Sequence, residues 1–198
     1  MITMKTEKQK MLSGEYFDPL DPELCADRSR ARRVTQALNA SGDEDVEVRA
    51  RLLAELLPRA GGRVWIEPPF HCDYGSNIET GERVFFNFDC VVLDVGPVRI
   101  GARVMFGPGV HIYTVTHPLD ATARATGLEL GKAVEIGDDV WVGGGSIICP
   151  GVRIGGRSVI GAGSVVTREV PEGVFAAGNP CRVIRVLEPS AGRDAGAP

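Results

Sequence analysis

The sequence predicts a β-solenoid, a coil of short parallel strands, preceded by helices. The main observation is a six-residue repeat between Val134 and Val170. Its marker is an aliphatic residue, usually followed by glycine, at Ile136, Val142, Ile148, Ile154, Ile160 and Val166. A second apolar or small residue lies two positions before each marker. Residues two apart share a face of a strand, whereas a helix needs spacings of three and four. Recurrence at a fixed period is typical of a solenoid.

The same repeat occurs earlier in the chain, with interruptions. Its markers there are Thr80, Phe86, Val92, Ile100, Phe106 and Ile112. An insertion around Val95 lengthens one repeat, and residues 114–132 carry no repeat at all. We therefore expect an extruded loop at 114–132, and long loops on rigid scaffolds often serve function. The repeated glycines are expected to provide turn conformations with positive φ.

Residues 7–58 predict helices. Asp21, Pro22 and Glu23 suit a helix start, and the segment at residues 41–43 should end that helix. A second helix is expected from about Asp43 to Pro58. Because this pair cannot bury both apolar faces alone, we expect it to cap the first coil. The predicted organisation is a helical cap over residues 1–60, a solenoid domain over 61–187 and a disordered tail over 188–198.

Composition narrows the functional classes. The 198 residues are 43% hydrophobic and carry a net charge of -4, which favours neither nucleic acid nor an anionic membrane as partner. With neither a membrane-length apolar stretch nor a signal peptide, we expect a cytoplasmic protein. The five cysteines lack CxxC spacing and are expected to be reduced, with Cys72 and Cys90 facing inward.

Three groups of residues are candidates for chemistry. His117 follows the point where the repeat stops, and a histidine there can accept a proton near neutral pH. Asn87 lies among three phenylalanines and could support an oxyanion. Arg182 and Arg185 end the solenoid and could bind an anionic ligand. The alternatives are a surface histidine, a left-handed turn asparagine and a solvated charged face.

Several motifs together resemble one family. They are Met11-Leu12-Ser13-Gly14-Glu15, the run from Ile66 to Gly75, Asn87-Phe88-Asp89-Cys90, His111-Ile112-Tyr113-Thr114 leading to His117-Pro118, Glu129-Leu130-Gly131-Lys132, and Gly178-Asn179-Pro180. The sequence resembles the maltose and galactoside O-acetyltransferase family of hexapeptide-repeat enzymes, which also includes nodulation acetyltransferases. The resemblance covers nearly the whole chain.

The resemblance implies a left-handed parallel β-helix with three hexapeptides per coil, assembled as a homotrimer. Acetyl-coenzyme A would lie in a groove between neighbouring solenoids, with no metal required. His117 would be the general base that takes the proton of a sugar hydroxyl, the primary one, during direct attack on the thioester. Asn87 would position the acceptor or stabilise the oxyanion.

The resemblance also assigns binding residues. The coenzyme residues would be Trp141, Gly144, Ala162, Thr167, Arg168, Arg182 and Arg185. The acceptor pocket would include Asn87, Arg28, Asp73, Asp94 and Glu129, together with an amino-terminal acid that is Asp18 or Asp21. Arg168 stands where relatives often have lysine, which changes the geometry of the contact.

The sequence allows two other classes of protein. A zinc enzyme of the γ-carbonic-anhydrase type would need His71, His111 and His117 to converge on one ion, and their spacing fits this poorly. A non-catalytic solenoid scaffold would not need the side chains at positions 87 and 117. The acceptor could be maltose, glucose or another saccharide.

Overall fold

The computed structural model describes residues 4–188, and most of them form a parallel β-solenoid. Three sheets form its sides, and each of five complete turns contributes one strand to each sheet. The last two strands of the chain both belong to the second sheet, and the final one pairs antiparallel with the one before it. The first sheet comprises β1 (Arg59–Ala60), β4 (Ile78–Thr80), β7 (Val98–Ile100), β12 (Val134–Ile136) and β15 (Arg153–Ile154). The second comprises β2 (Val64–Ile66), β5 (Val84–Phe86), β8 (Met105–Phe106), β13 (Trp141–Val142), β16 (Val159–Ile160), β18 (Val174–Ala177) and β19 (Arg182–Val186). The third comprises β3 (Phe70–Cys72), β6 (Cys90–Leu93), β9 (His111–Tyr113), β14 (Ile147–Ile148) and β17 (Val165–Val166).

The six-residue repeat is confirmed as the inward phase of these strands. Equivalent residues of successive turns pair in parallel, as Ile66 does with Phe86 and Phe86 with Phe106. The rings of Phe86 and Phe106 stack with centroids 4.6 Å apart. Ser146 is also buried, and its hydroxyl donates to the carbonyl oxygen of Gly143 at 2.7 Å. The hydrogen-bonding capacity of this buried hydroxyl is therefore satisfied by the surrounding backbone.

The glycines of the repeat have a different role from the predicted one. Gly107 and Gly143 do not adopt positive φ; a Cβ on either would lie 2.5 Å from a backbone nitrogen of the next turn. Positive φ occurs two residues later, at Gly109 and Gly145, and at the non-glycine Asp139 of another corner. The repeated glycine is thus required mainly by close stacking of successive turns.

Three helices precede the solenoid: α1 (Glu7–Leu12), α2 (Pro22–Asn39) and α3 (Val46–Leu56). The predicted start of α2 is confirmed, because the Asp21 carboxylate accepts the N–H of Glu23 at 2.9 Å and caps the helix. The predicted helical region from residue 7 also contains a short helix before the two expected ones. Thr6 begins the separate short helix α1 through a capping box, and residues 13–21 are not helical.

The helices cover the first turn, as expected. The Asn39 side chain accepts the N–H of Phe70 and donates to its carbonyl oxygen, both at 2.9 Å. The buried guanidinium of Arg49 donates to the carbonyl oxygen of Ile66 at 2.6 Å. Apolar residues of α2 and α3, including Leu38 and Leu56, join the solenoid core. The solenoid begins slightly earlier than predicted, because β1 at Arg59–Ala60 already pairs with β4.

The extruded loop has its own structure. It leaves the third sheet through β10 (Val115–Thr116), contains α4 (Ala121–Arg124) and returns through β11 (Leu130–Gly131). Strands β10 and β11 pair antiparallel. The coil then resumes, because β12 pairs directly with β7.

The remaining expectations from the sequence concern the cysteines, membranes and the tail. The five cysteines are free thiols, and Cys90 faces inward as predicted. Within residues 4–188, no helix is both long and apolar enough to cross a bilayer. The predicted tail lies outside the described residues, except for the exposed Glu188.

Candidate active site

His117 lies where the loop leaves the solenoid, at the corner between the third and first sheets. Thr116 pairs with Leu130 in the β10–β11 ribbon, so the next antiparallel position sets His117 opposite Glu129. Glu129 is fixed from its other side, because its backbone exchanges two hydrogen bonds with Phe17, both 3.1 Å long. His117 itself is exposed. The predicted base, His117, is therefore accessible to solvent and lies next to a β-ribbon that hydrogen bonds to Phe17 hold in place.

Glu129, Asp73 and Arg28 form a charged cluster beside His117. Burial raises the pKa of Glu129, while the nearby charges of His117 and Arg28 lower it. Burial likewise raises the pKa of Asp73, against the opposing effects of Arg28 and Arg32. Neither carboxylate accepts a side-chain hydrogen bond from within residues 4–188. The cluster is thus a half-buried polar surface with free acceptors.

Arg28 is held in a fixed position. One guanidinium nitrogen, Nη1, donates to the Tyr74 hydroxyl at 2.7 Å, and Nη2 donates to the carbonyl oxygen of Pro19 at 2.5 Å. The guanidinium carbon also lies 5.7 Å from the centre of the Tyr74 ring. Tyr74 is 1% exposed, and burial raises its pKa to about 12, so its hydroxyl stays protonated at neutral pH.

Asp94 lies behind this cluster rather than on its surface. It is 0% exposed, and one carboxyl oxygen accepts the N–H groups of Asp73 and Tyr74 at 3.0 and 2.8 Å. The other accepts the N–H of Asn77 at 3.3 Å. Burial raises the pKa of Asp94 to about 7, although the backbone donors lower it. The predicted acceptor contact has no exposed surface in this chain, and the carboxyl instead supports the turn that carries Asp73.

The two amino-terminal acids differ in availability. Asp21 is used in capping α2. Asp18 directly follows Phe17 and thus lies beside Glu129. Among residues 4–188, its carboxylate accepts one hydrogen bond, from the N–H of Leu20 at 2.8 Å. This geometry favours Asp18 over Asp21 as the acid near the cluster.

Asn87 lies at a different corner, between the second and third sheets. Its Oδ1 accepts the N–H of Phe88 at 2.8 Å, while its Nδ2 donates to no residue between 4 and 188. Asn87 does not have the left-handed conformation of a turn asparagine; Asp89 has it instead, with φ of 60°. The amide therefore offers a free donor.

The predicted coenzyme residues fall into two groups. Trp141 and Arg185 share the outward face of the second sheet through the rungs Trp141–Val159–Phe175–Arg185, and Arg182 pairs with Ala177 beside them. Gly144 and Ala162 lie at the same corner as Asn87, two and three turns further along the solenoid. Their backbone N–H groups make no hydrogen bond within residues 4–188. Thr167 and Arg168 are exposed at the opposite edge of the third sheet.

The third sheet therefore separates the predicted site residues of one chain. The edge next to the second sheet, and the second sheet beyond it, carry Asn87, Trp141, Gly144, Ala162, Arg182 and Arg185. The edge next to the first sheet carries His117, the charged cluster, Thr167 and Arg168. At ~3.3 Å per strand residue, the four residues of β6 alone separate the edges by about 13 Å. Asn87 and His117 of one chain are too far apart to contact the same reacting group.

The outward faces of the sheets differ in chemistry. The second sheet presents Trp65, Phe85, Met105, Trp141, Val159 and Phe175 in register. Trp141 and Met105 are each 51% exposed. The third sheet presents His71, Val91, His111, Ile147 and Val165. The first presents alternating charges at Arg59, Glu79, Arg99, Glu135 and Arg153. A continuous exposed apolar face marks an interaction surface.

The zinc alternative finds no support in this geometry. His71 and His111 project outward from the third sheet with Val91 between them, and His111 Nδ1 lies 2.6 Å from the Tyr113 hydroxyl. In the part of the chain that the structure describes, no three histidine, cysteine or acidic side chains cluster as metal ligands. A cavity of about 790 Å³ lies over the charged first sheet, away from the predicted residues. It does not mark the predicted site.

Tyr74 is the residue of this region that sequence reasoning missed. It lies in the quoted motif from Ile66 to Gly75, but nothing in the local sequence distinguishes it from an ordinary core tyrosine. Its role depends on contact with Arg28, 46 positions away. Such a long-range contact leaves no local signal in a sequence.

Comparisons with known proteins agree with this architecture. Residues 10–61 match the maltose acetyltransferase hexapeptide capping motif, and residues 133–168 match the bacterial transferase hexapeptide, with six repeats. A putative acetyltransferase of Saccharomyces cerevisiae is 46% identical, over 90% of this chain and 92% of that protein. Nodulation protein L of Rhizobium meliloti is 48% identical, over 90% and 98%. Galactoside O-acetyltransferase of Escherichia coli is 38% identical, over 90% and 88%.

Solved structures give the same result. A maltose O-acetyltransferase from Clostridium difficile superposes with a TM-score of 0.90 at 45% identity, covering 94% of this chain and all of that one. A hexapeptide-repeat acetyltransferase from Vibrio cholerae, complexed with acetyl coenzyme A, gives 0.86 at 41% identity, covering 93% of this chain and all of that one. The chain is an acyltransferase. It belongs to the hexapeptide-repeat acetyltransferase family that includes the maltose and galactoside O-acetyltransferases.

Proposed function

We propose that this protein transfers the acetyl group of acetyl-coenzyme A to a hydroxyl of a saccharide, at a site formed between two copies of the chain. The observation that carries the proposal is the division of the site residues between the two edges of the third sheet. Complexes of two relatives with acetyl-coenzyme A or coenzyme A support the donor. The names of the maltose and galactoside enzymes support a sugar acceptor.

The proposed assembly is a homotrimer in which the apolar second and third sheets meet neighbouring copies. The second sheet presents aromatic and aliphatic side chains, and the third presents aliphatic side chains together with His71 and His111, whereas the first sheet carries alternating charges suited to solvent. Two different faces in contact make a heterologous interface, and such an interface closes into a ring of three when successive copies are related by a rotation of one third of a circle. In the proposed packing, the copies are offset so that each junction brings one edge of a third sheet towards the other edge of the next.

The coenzyme would run along this junction, parallel to the solenoid axis. One copy would contribute Trp141, the free N–H groups of Gly144 and Ala162, and the cations Arg182 and Arg185. Its neighbour would contribute Thr167 and Arg168 from the opposite edge. With ~4.8 Å between strands, the four steps from β5 beside Asn87 to β18 span about 19 Å. The acetyl end would lie near Asn87, and the phosphates near the final strands.

The acceptor would lie against the charged cluster of the neighbouring copy. The carboxylates of Asp73, Glu129 and Asp18 can accept hydrogen bonds from sugar hydroxyls, and Arg28 can donate to sugar oxygens. Asp94 would act indirectly, by holding the turn that carries Asp73. This cluster surrounds the exposed side of His117.

The chemistry is a direct transfer. The sugar oxygen, from the primary hydroxyl, attacks the thioester carbonyl carbon while His117 takes the hydroxyl proton. The free Nδ2 of Asn87 from the adjacent copy donates to the oxyanion of the tetrahedral intermediate. The carbon–sulfur bond then breaks, and the coenzyme sulfur receives the proton from the His117 imidazolium. The products are the O-acetyl sugar and free coenzyme A.

An acceptor screen tests this function. Purified protein is mixed with acetyl-coenzyme A and maltose, glucose, other hexoses, β-galactosides or oligosaccharides, and thiol release is measured. We expect turnover with at least one saccharide, and proton and carbon NMR of the product should locate the acetyl group on a primary hydroxyl. Thiol release that no saccharide increases would contradict the proposal.

A further inference from the structure

We propose that Tyr74 is a positioning residue that fixes the guanidinium of Arg28 in the acceptor pocket and thereby sets affinity for the acceptor. This inference rests on the proposed function, because that proposal assigns Arg28 to the acceptor side. It concerns a residue that is 1% exposed and would act on the substrate only through Arg28. The supporting observation is a chain of contacts from the solenoid core to the pocket.

The first link fixes the backbone of Tyr74. The buried carboxyl of Asp94 accepts the N–H groups of Tyr74 and Asn77, and the Asn77 side chain donates to the Asp94 carbonyl oxygen at 2.8 Å. Asp94 directly follows β6, so the turn is tied to a strand of the third sheet. Tyr74 cannot shift without breaking buried hydrogen bonds.

The second link fixes the side chain of Tyr74. Its ring packs in a small apolar cluster with Met11, Phe17, Leu24 and Val95, separate from the solenoid core. These residues come from α1, the connection after it, α2 and the insertion before β7. The ring therefore joins the helical cap to the solenoid beside the ribbon that carries His117.

The third link fixes Arg28. Its Nη1 donates to the Tyr74 hydroxyl, and its Nη2 donates to the carbonyl oxygen of Pro19, beside Asp18. Nη2 also contacts the Cys25 sulfur at 3.3 Å, so Tyr74 is the partner of Nη1 while Pro19 and Cys25 are the partners of Nη2. Without the hydroxyl, Arg28 would be held through Nη2 and the aromatic face, and Nη1 would lose its hydrogen bond to Tyr74. A long side chain held at one point samples several rotamers, and ordering it again on binding costs affinity.

The test is Tyr74→Phe, which removes one hydroxyl and keeps the packed ring. We expect the Michaelis constant for the acceptor to rise about ten-fold, as for loss of a hydrogen bond to a charged group, with that for acetyl-coenzyme A unchanged within about two-fold. Tyr113→Phe is the matched control, because it removes a hydroxyl that contacts His111 instead. It should leave both constants near the wild-type values.

A double-mutant cycle separates positioning from general structural support. Once Arg28→Ala has removed the guanidinium, adding Tyr74→Phe should change the acceptor constant by less than about two-fold. Equal effects of Tyr74→Phe on both backgrounds would overturn the proposal. So would a rise in the donor constant as large as the rise in the acceptor constant.

A crystal structure of Tyr74→Phe gives a readout that needs no turnover. We expect the Arg28 guanidinium to be displaced or spread over several conformers, and an unchanged, fully ordered Arg28 would overturn the proposal. The proposed function fails separately, if the wild-type protein transfers acetyl to no saccharide. The proposed placement of Arg28 in the acceptor pocket fails if Arg28→Ala leaves the Michaelis constant for the acceptor unchanged.

Discussion

Trimers that contain two different inactive subunits should regain activity, because the proposed site combines residues of two chains. The variants are His117→Ala, which removes the base, and Asn87→Ala, which removes the oxyanion donor. Alone, each should lose about 10² or more in catalytic rate. Neither change touches the core, because His117 is exposed and the Asn87 amide projects from a corner.

The expected recovery follows from the geometry of the ring. The two edges of the third sheet lie at least about 13 Å apart within one chain, so in the proposed trimer each site would draw its His117 and its Asn87 from neighbouring chains. Any trimer with both kinds of subunit has one junction where intact His117 meets intact Asn87. Mixed trimers should therefore show about one third of the wild-type activity.

The assay uses co-expressed subunits with two different affinity tags, purified over both resins and measured by thiol release. A control trimer combines His117→Ala subunits with subunits that carry both substitutions, and it restores no junction. Mixed trimers no more active than the average of the two parents would refute the shared site. A monomeric mass by sedimentation at micromolar concentration would refute the trimer itself.

Three further predictions concern single residues. His117→Ala should lower the catalytic rate by about 10² or more while the protein still binds coenzyme A, whereas His71→Ala should have much less effect; near-normal turnover of folded His117→Ala would exclude it as the base. Arg182→Ala or Arg185→Ala should raise the Michaelis constant for acetyl-coenzyme A about ten-fold, and less for a thioester donor lacking the nucleotide; a defect confined to the acceptor would contradict the proposed groove. Asp94→Asn should change the pH dependence of stability. Since folding raises the pKa of Asp94 to about 7, its contribution is fully present below the unfolded value of ~3.9 and is lost as pH rises through about 7. Urea titrations at fixed protein concentration measure the free energy of unfolding of both proteins. The value for wild type minus the value for the variant should fall as pH rises from ~3.9 to about 7. A difference that stays constant or rises would contradict the raised pKa of Asp94.

The fold was predictable because the repeat is a local pattern with a single structural meaning. Inward residues such as Phe86 and Ile136 recur at the phase that the strands require, and the helix start at Asp21 uses a capping side chain from the adjacent sequence. The function of the repeated glycines was not predictable in this way. Gly143 meets the backbone of the next turn, and that approach exists only after the coil has closed.

Part of the arrangement of the candidate site residues could be predicted from the sequence. The loop position of His117 follows from the point where the repeat stops. The corner position of Asn87 follows from the end of a strand. Their separation by the third sheet also follows from the phase, once three strands per turn are counted. The burial of Asp94 and the contact between Tyr74 and Arg28 were not predictable, because both depend on how the helical cap packs against the solenoid.

The most direct test of the central claim follows a ¹³C-labelled acetyl group from acetyl-coenzyme A through a single turnover with an active saccharide. We expect the label to pass to a sugar hydroxyl, with no acetyl group on the protein at any time, and transfer by His117→Ala to be slower by about 10² or more. NMR of the sugar and mass spectrometry of the intact protein report the two possible destinations. A label that accumulates on the protein, or reaches the sugar equally fast without His117, would contradict direct transfer by this site.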